Sequence, residues 1–497
     1  MTDSIHPHAA TPQPPFILVL DVGSSSTRAL LVDAQARIIE PTMVREKSAL
    51  LVPFEGSAED DPRAVLDRVT RCIDAALQAA GPLADQIAAV GCATYASNIL
   101  GVDRENVPVT PIFTYADTRS DAAATRLRQQ FDEAAIVQRT GCPLRTSYLP
   151  ALFAWLYTDR SDQMQSVRRW LSVGEWLFEH LFGLSAVTYS LAAWTGLLNR
   201  QQLAWDADLL DALPITVEQL GTLADVDRAF TGLRDPWAKR WPALADVPWF
   251  SAVGDGAAAN LGSGCIDQSR IALSIGTTGA LRVVTPIEPT IPPGLWCYRI
   301  DRAHPLLGGA TSEGGNVLTW VRNTLQIDTA VLDQYLLDPR GAGHGLAVLP
   351  FIAGERSPGW SGDSPMTISG ISTKTTALDL SRAALESVAY RWARIAALLR
   401  TVIGSDPIVV ASGGGLKYVP SWGQVIADAL GLPVSISAEP ETTSRGVALL
   451  ALRSIGVIRD LGDLPLTLPP PLQPDPQRHA HHQAALAEQE RLYRAVI

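Results

Sequence analysis

The chain is poor in cysteine, and no two of its cysteines stand in the Cys-x-x-Cys spacing of a zinc or redox site. Cys72, Cys92, Cys142, Cys265 and Cys297 are scattered over 497 positions. An odd, dispersed set excludes a disulfide framework and reads as buried thiols in a reducing cytosol. No run approaches the roughly eighteen uninterrupted apolar residues of a membrane span. The opening MTDSIHPHAATPQPP has neither a basic start nor an apolar middle, so no secretory signal is expected and residues 1–15 are read as a disordered tail. Positive charge is short as well: 40 Lys and Arg against 51 Asp and Glu give a net charge of -11. That balance argues against nucleic acid and anionic membranes as partners, and it gives an anionic substrate no general steering. The pattern GxxxxGK[ST] is absent too, so nucleotide binding of the P-loop kind is excluded.

What is present centres on FILVLDVGSSSTRALLVD, Phe16 to Asp33. An apolar strand runs into Asp21, turns through Gly23, Ser24, Ser25 and Ser26, and returns as a second apolar strand. A Gly-Ser turn gathers backbone N–H groups and hydroxyls in one concavity, which suits a phosphate. Asp21, at the end of a buried strand, is placed to hold Mg²⁺, an ion that keeps most of its water and takes only one or two carboxylates. An ordinary hairpin with a serine-rich turn fits this stretch equally well by itself. A second copy tips the balance: RIALSIGTTGALRVV, from Arg270 to Val284, repeats the design around Gly276, Thr277, Thr278 and Gly279. Two such hairpins can grip a triphosphate from both sides.

The rest of the chain is read in the same terms. Ala36 to Glu40 is expected as a third antiparallel strand, Asp61-Pro62 to Gly81 as a helix, and Ile87 to Thr94 and Ser97 to Asp103 as strands. A helix is expected around Asp121 to Phe131. Trp194, Trp205, Trp237, Trp241 and Trp249 read as packing. The small-residue run Ser251 to Gly264 permits close helix packing at the join of two halves. Thr376 to Val402 has the period of an amphipathic helix, with Thr376 and Asp379 at capping-box spacing. Ile408 to Ser412 should be a strand delivering Gly413, Gly414 and Gly415 to a helix over Val419 to Leu430. The tail carries a proline-rich linker and a short helix from about Ala480. His479, His481 and His482 read as its solvated start rather than a metal site.

The paired hairpins and the GGG turn resemble the FGGY carbohydrate kinases, members of the actin, hexokinase and sugar-kinase superfamily. The resemblance runs from Phe16 to about Ile458. It implies an α/β fold of two actin-like (ribonuclease H-like) ATPase domains around a central cleft. It also implies a strand in TYSLAAWTG, after a helix and an LFG turn. Residues 16–252 would be the sugar-binding domain, 253–460 the nucleotide-binding domain, and 461–497 a linker and C-terminal helix. The implied cofactors are ATP and Mg²⁺, with Asp21 as the metal residue. The implied ATP contacts are Gly23, Ser24, Ser25, Ser26, Arg28, Gly276, Thr277, Thr278, Gly315, Thr319, Gly413, Gly414 and Gly415.

In VGDGAAANLG, Asp255 matches the family's catalytic GD motif. A carboxylate fixed at a helix start can accept the hydroxyl proton in a loose phosphoryl-transfer transition state, and it can cap the helix as well. Sugar contacts are implied for Ser97, Asn98, Asp117 and Arg119 of TYADTR, for Arg145, Ser147 and Tyr148 of TGCPLRTSY, and for Asp255. Glu355 and Arg356 of the GERSP loop read as partners of each other or of neighbours. TYADTR, GDGAAANLG and GGATSEGGN are most like the gluconate kinase branch. The resemblance therefore implies a cytoplasmic enzyme converting gluconate to 6-phosphogluconate, with Arg119 or Arg145 for the carboxylate. A pentulose kinase is the alternative, and an ATP-dependent actin-like binding protein without kinase activity is the alternative of another class. A homodimer is left open as the assembly.

Overall fold

The computed structural model describes residues 11–338 and 343–497, so the first ten residues of the expected tail lie outside the described part. Two sheets of one plan organise it. In the first, Phe16–Val22 pairs antiparallel with Ser26–Val32 and parallel with Ile87–Thr94. Val44–Lys47 extends the hairpin side, while Trp249–Phe250 and Ala229–Phe230 extend the other. In the second, Arg270–Ile275 pairs antiparallel with Gly279–Val284 and parallel with Ile408–Ser412. The duplication legible in the hairpins is therefore a duplication of topology: each half centres on a hairpin whose first strand gains a parallel neighbour.

A strand covered on both faces reads as a near-continuous apolar run, and every residue of Phe16–Val22 is buried, Asp21 being its one charged member. Phe16, Leu18 and Leu20 pack with Val65, Val69 and Ile73 of the helix Pro62–Ala80. Asp61 starts that helix by accepting from the Arg63 and Ala64 amides, and Gly81 ends it. On the opposite face, Ile17 and Val19 pack with Ala257, Ala258, Val447 and Leu450. Each fully buried aliphatic side chain contributes about 1.5–3 kcal/mol.

This second face ties the halves together. Its cover comes from the helix Asp255–Gly262 and from Thr442–Ser454, a helix late in sequence that lies against the first sheet. The two helices approach so closely that a Cβ on Gly262 would lie 1.8 Å from the Thr442 carbonyl oxygen, and one on Gly446 would lie 1.9 Å from that of Ala258. In the second half, the helix Ala377–Ile403 starts with the expected capping box. Its Val388, Trp392, Ile395 and Leu399 pack with Leu273, Leu281 and Leu307 of the sheet.

Several local expectations are corrected. The third strand is Val44–Lys47 rather than Ala36 to Glu40, because Ala36 turns at φ +56° and Pro41 opens a short 3-10 turn. Residues 11–15 are tied down rather than loose: the Gln13 amide donates to Asp33 and its carbonyl accepts from the Ala34 amide. The strand after Ser97 begins only at Leu100, since Ser97 has φ +50°. TYSLAAWTG forms a short helix, Tyr189–Ala193, capped by the Thr188 hydroxyl. Beyond the triple glycine the chain forms Gly415–Tyr418 and Trp422–Leu430 instead of one helix, with Pro420 at the break. The C-terminal helix is long, Pro476–Val496. His481 is exposed, as expected, but the other two histidines are engaged: the His479 ring contacts the Asp428 carbonyl at 2.7 Å, and buried His482 contacts the Tyr390 hydroxyl at 3.0 Å. All five cysteines are free and buried, as expected.

Candidate active site

Strand register brings the two principal carboxylates to one place. Asp21 lies beside Ala93 on the parallel neighbour, and Ala93 lies beside Val253 on the next strand, Val253–Gly254. Two residues further on, the chain enters the helix Asp255–Gly262 at Asp255. Both carboxylates thus stand at the carboxyl ends of parallel strands, where open α/β sheets place their ligands.

Burial pushes the Asp21 carboxyl up to about 6; Arg28 opposes the rise and the charge of Asp255 adds to it. The Asp255 carboxyl is likewise raised by burial, with the Gly256 amide and Arg282 opposing. Asp255 Oδ1 accepts from the Gly256 amide at 2.7 Å, and no described residue donates to Oδ2. Two raised carboxyls facing one another, each with an oxygen to spare, form a donor set that suits a hydrated hard cation.

The hairpin tips form the next layer. Ser24, Ser25, Thr277 and Thr278 are at the surface, and their amides donate to no described residue. They supply the free N–H groups expected of a phosphate cradle. The GGG turn lies beside the second tip. Gly413 has φ +134°, and a Cβ there would meet the Ile275 carbonyl oxygen at 1.9 Å, so only glycine fits.

Other expected nucleotide contacts are already engaged. Ser26 is buried inside the return strand. Arg28 donates to Asp21 at 2.7 Å and lies 3.7 Å from Glu441, so it neutralises the carboxylate rather than facing a phosphate. The Gly315 amide donates to the Gly276 carbonyl at 2.7 Å, and the Thr319 hydroxyl to the Gly315 carbonyl. These two brace the second hairpin tip.

The expected sugar residues divide in the same way. Asp117 and Arg119 are buried against each other, with Arg119 Nη2 2.5 Å from both Asp117 and Glu59 and its guanidinium 4.8 Å from the Trp155 ring. Asp117 also accepts from the Ala58 amide, so the pair ties this loop down. Asn98 is also spent, its Oδ1 accepting the Val173 amide. The Ser97 hydroxyl donates to the Trp194 carbonyl at 2.7 Å. Tyr148 is buried, its hydroxyl 2.6 Å from that of Tyr298 across the join of the halves. Arg145 and Ser147 do line an open cavity between the halves. In the GERSP loop, Glu355 pairs with buried Arg391 and accepts from the Tyr493 hydroxyl, not from Arg356.

Sequence reasoning missed several residues. Arg282, on the second return strand, faces Asp255 and donates to Ser274. Its signal was a lone charge inside the apolar run ALRVV. Trp194 packs, as expected, and its ring also lies against the turn at Asp255: a Cβ on Gly256 would be 3.0 Å from it and 3.2 Å from Arg282 Nη2. Trp194 stacks on Tyr298 at 3.9 Å, and Tyr298 on Trp296 at 4.0 Å, forming an aromatic wall. The packing reading holds for Trp237, Trp241 and Trp249, which stack on one another. Glu313, behind the second tip, has a carboxyl pushed up to about 8 by burial.

Two actin-like halves, a pair of phosphate-type hairpins and a carboxylate at the join define a sugar kinase of the actin-like ATPase class. The chain belongs to the FGGY family of carbohydrate kinases, whose N-terminal domain model matches residues 16–262 and whose C-terminal domain model matches residues 271–455. A gluconokinase of Bacillus subtilis (strain 168) is 26% identical over 456 residues, covering 89% of this chain and 88% of that protein. The structure of a gluconate kinase from Lactobacillus acidophilus superposes with TM-score 0.90 at 25% identity, covering 97% of this chain and 98% of the other. A ligand-bound xylulose kinase from the same species gives the same TM-score, identity and coverage. Glycerol kinases are among the relatives as well. Among the described residues, no helix is long and apolar enough to cross a membrane.

Proposed function

We propose that the protein transfers the γ-phosphoryl group of ATP to a hydroxyl of a sugar acid, converting gluconate to 6-phosphogluconate, with Asp255 as general base. The observation that carries the reading is the position of Asp255, at a helix start on the join of the halves, with one carboxylate oxygen unpartnered. Its raised pKa brings it nearer to the working pH, which improves a general base. The hairpin tips, with Ser25, Thr277 and Thr278 exposed and Ser24 half-buried, and the exposed Gly413 and Gly414 beside buried Gly415 suit the phosphates and nucleoside of ATP. Asp21 suits Mg²⁺, which when bound would neutralise charge on the transferred phosphoryl group. Arg282 steadies the charged form of Asp255, and the Trp194 and Tyr298 wall keeps water from one side. Closure of the halves on the sugar would exclude the rest and limit wasteful ATP hydrolysis.

The names of the gluconokinase and gluconate kinase relatives support gluconate. A pentulose kinase is the second reading, favoured by the equal likeness to a xylulose kinase. ADP release by the purified protein with Mg·ATP, compared over gluconate, xylulose, ribulose, glycerol and related polyols, separates them. Gluconate far above the others is the expected result. Activity on a pentulose alone would transfer the mechanism to that substrate, and silence over the whole panel would contradict the kinase reading.

A further inference from the structure

A cavity of about 360 Å³ opens between the halves, lined by Arg128, Arg145 and Ser147 from the first and by Arg356, Trp360 and Asp363 from the second. We infer that Arg356 and Arg145, backed by Arg128, seat the carboxylate of an aldonate substrate; this rests on the sugar-acid reading above and names the residues that would select for it.

Arg119, the other sequence candidate for this task, is already charge-paired. Its Nη2 meets both Asp117 and Glu59, so its charge is matched by two carboxylates, although its Nη1 has no described partner. The three arginines of the cavity are balanced less completely. Arg356 makes no side-chain hydrogen bond or ion pair with any described residue, although it is half-buried. Arg145 gives only Nη1, to Glu133 and the Leu144 carbonyl, so its Nε and Nη2 remain free. Arg128 donates to the Leu144 carbonyl and the Thr125 hydroxyl, neither of which is charged.

Three carboxylates also border the cavity. Glu355 is neutralised by Arg391 and held by Tyr493, while Asp121 and Asp363 are exposed at the rim and form no ion pair. Of the three guanidinium groups only Arg145 has a carboxylate partner, Glu133, and the two unpaired carboxylates of the lining, Asp121 and Asp363, are both solvent-exposed. A planar carboxylate matches such forks, whereas a neutral sugar leaves them uncompensated.

The placement is built, not incidental. Arg356 follows directly on Glu355, which Arg391 and Tyr493 lock, and the Arg145 guanidinium lies 5.7 Å over the Trp360 ring. Arg356 is also within electrostatic reach of Arg282 and Tyr298, the residues beside Asp255 and on its aromatic wall. With a net charge of -11 there is no general attraction for an anion, so its recognition has to be local.

The test is calorimetric titration of the protein with gluconate and with glucitol, its neutral six-carbon analogue. Wild type should bind gluconate at least about tenfold more tightly, and Arg356→Gln and Arg145→Gln should each erase that preference while Arg356→Lys restores part of it. Melting curves establish that the variants are folded. A wild type that prefers gluconate, with an Arg356→Gln variant that keeps the preference, overturns this inference alone. A wild type that prefers glucitol, or binds neither, overturns the sugar-acid reading and the inference with it.

Discussion

Replacing Asp255 by Asn is the perturbation from which most can be learned. Asp255 contributes one hydrogen bond to the fold, from the Gly256 amide at 2.7 Å, and an Asn carbonyl oxygen can accept the same bond. The helix start is therefore retained, and melting should shift little. What is lost is the ability to take a proton. Loss of a general base costs about 10²–10⁴ in rate, and that range corresponds to about 2.7–5.4 kcal/mol of barrier. The upper part of the range is expected here. The neighbouring carboxylate that might substitute, Asp21, is tied to Arg28 at 2.7 Å and stands one strand further away. The assay is steady-state ADP release with saturating gluconate and Mg·ATP, beside a melting curve of the same preparation. Wild-type turnover should also fall as pH drops through the raised Asp255 pKa, and the variant should lack that limb. A folded Asp255→Asn protein within about threefold of wild-type turnover would refute the reasoning, because no effect of a general base is that small.

Other predictions follow from single contacts. Gly413→Ala places a Cβ 1.9 Å from the Ile275 carbonyl, so the turn must shift and nucleotide affinity, read by titration with ADP, should fall by about 1–3 kcal/mol. Because burial raises Glu313 to about 8 from an ordinary 4.5, its contribution to stability is present below about pH 4.5 and is lost as pH rises toward about 8. Glu313→Gln should therefore raise the Tm at about pH 8 and leave it nearly unchanged at about pH 4.5; equal shifts at both would contradict the assignment. Mg²⁺ should raise the Tm of wild type above about pH 6, where Asp21 is ionised, and should do so much less in Asp21→Asn. Tyr493→Phe removes the 2.7 Å hydrogen bond to Glu355 and should lower stability by about 1 kcal/mol in denaturant unfolding.

The sequence disclosed the framework because the framework is periodic. Buried strands such as Phe16–Val22 are apolar save where a functional group is wanted, as at Asp21, and helix ends at Asp61, Gly81 and Thr376 carry side chains or backbone freedom that few other residues supply. Asp255 was legible for the same local reason, a carboxylate between two glycines at a helix start. Contacts made across the molecule were not legible. Nothing in TYADTR announces that Arg119 is consumed by Glu59, sixty residues earlier, or that a Gly315 amide is spent on Gly276. Trp194 does pack, as expected, but its neighbours Tyr298 and Trp296 come from the other half, which no local pattern announces. The burial of His482 was not legible because the surface that covers it comes from the helix Ala377–Ile403, more than seventy residues away in the chain, whereas His481 is exposed as expected.

The central claim, that this chain moves a phosphoryl group from ATP to a sugar acid, is tested most directly by following one reaction mixture of protein, Mg·ATP and gluconate by ³¹P NMR. The account predicts that the γ-phosphate signal decays, ADP appears, and a phosphate monoester grows in equal amount, coupled to the C6 protons of gluconate. ADP formed with only inorganic phosphate beside it, at the same rate with and without gluconate, would contradict it.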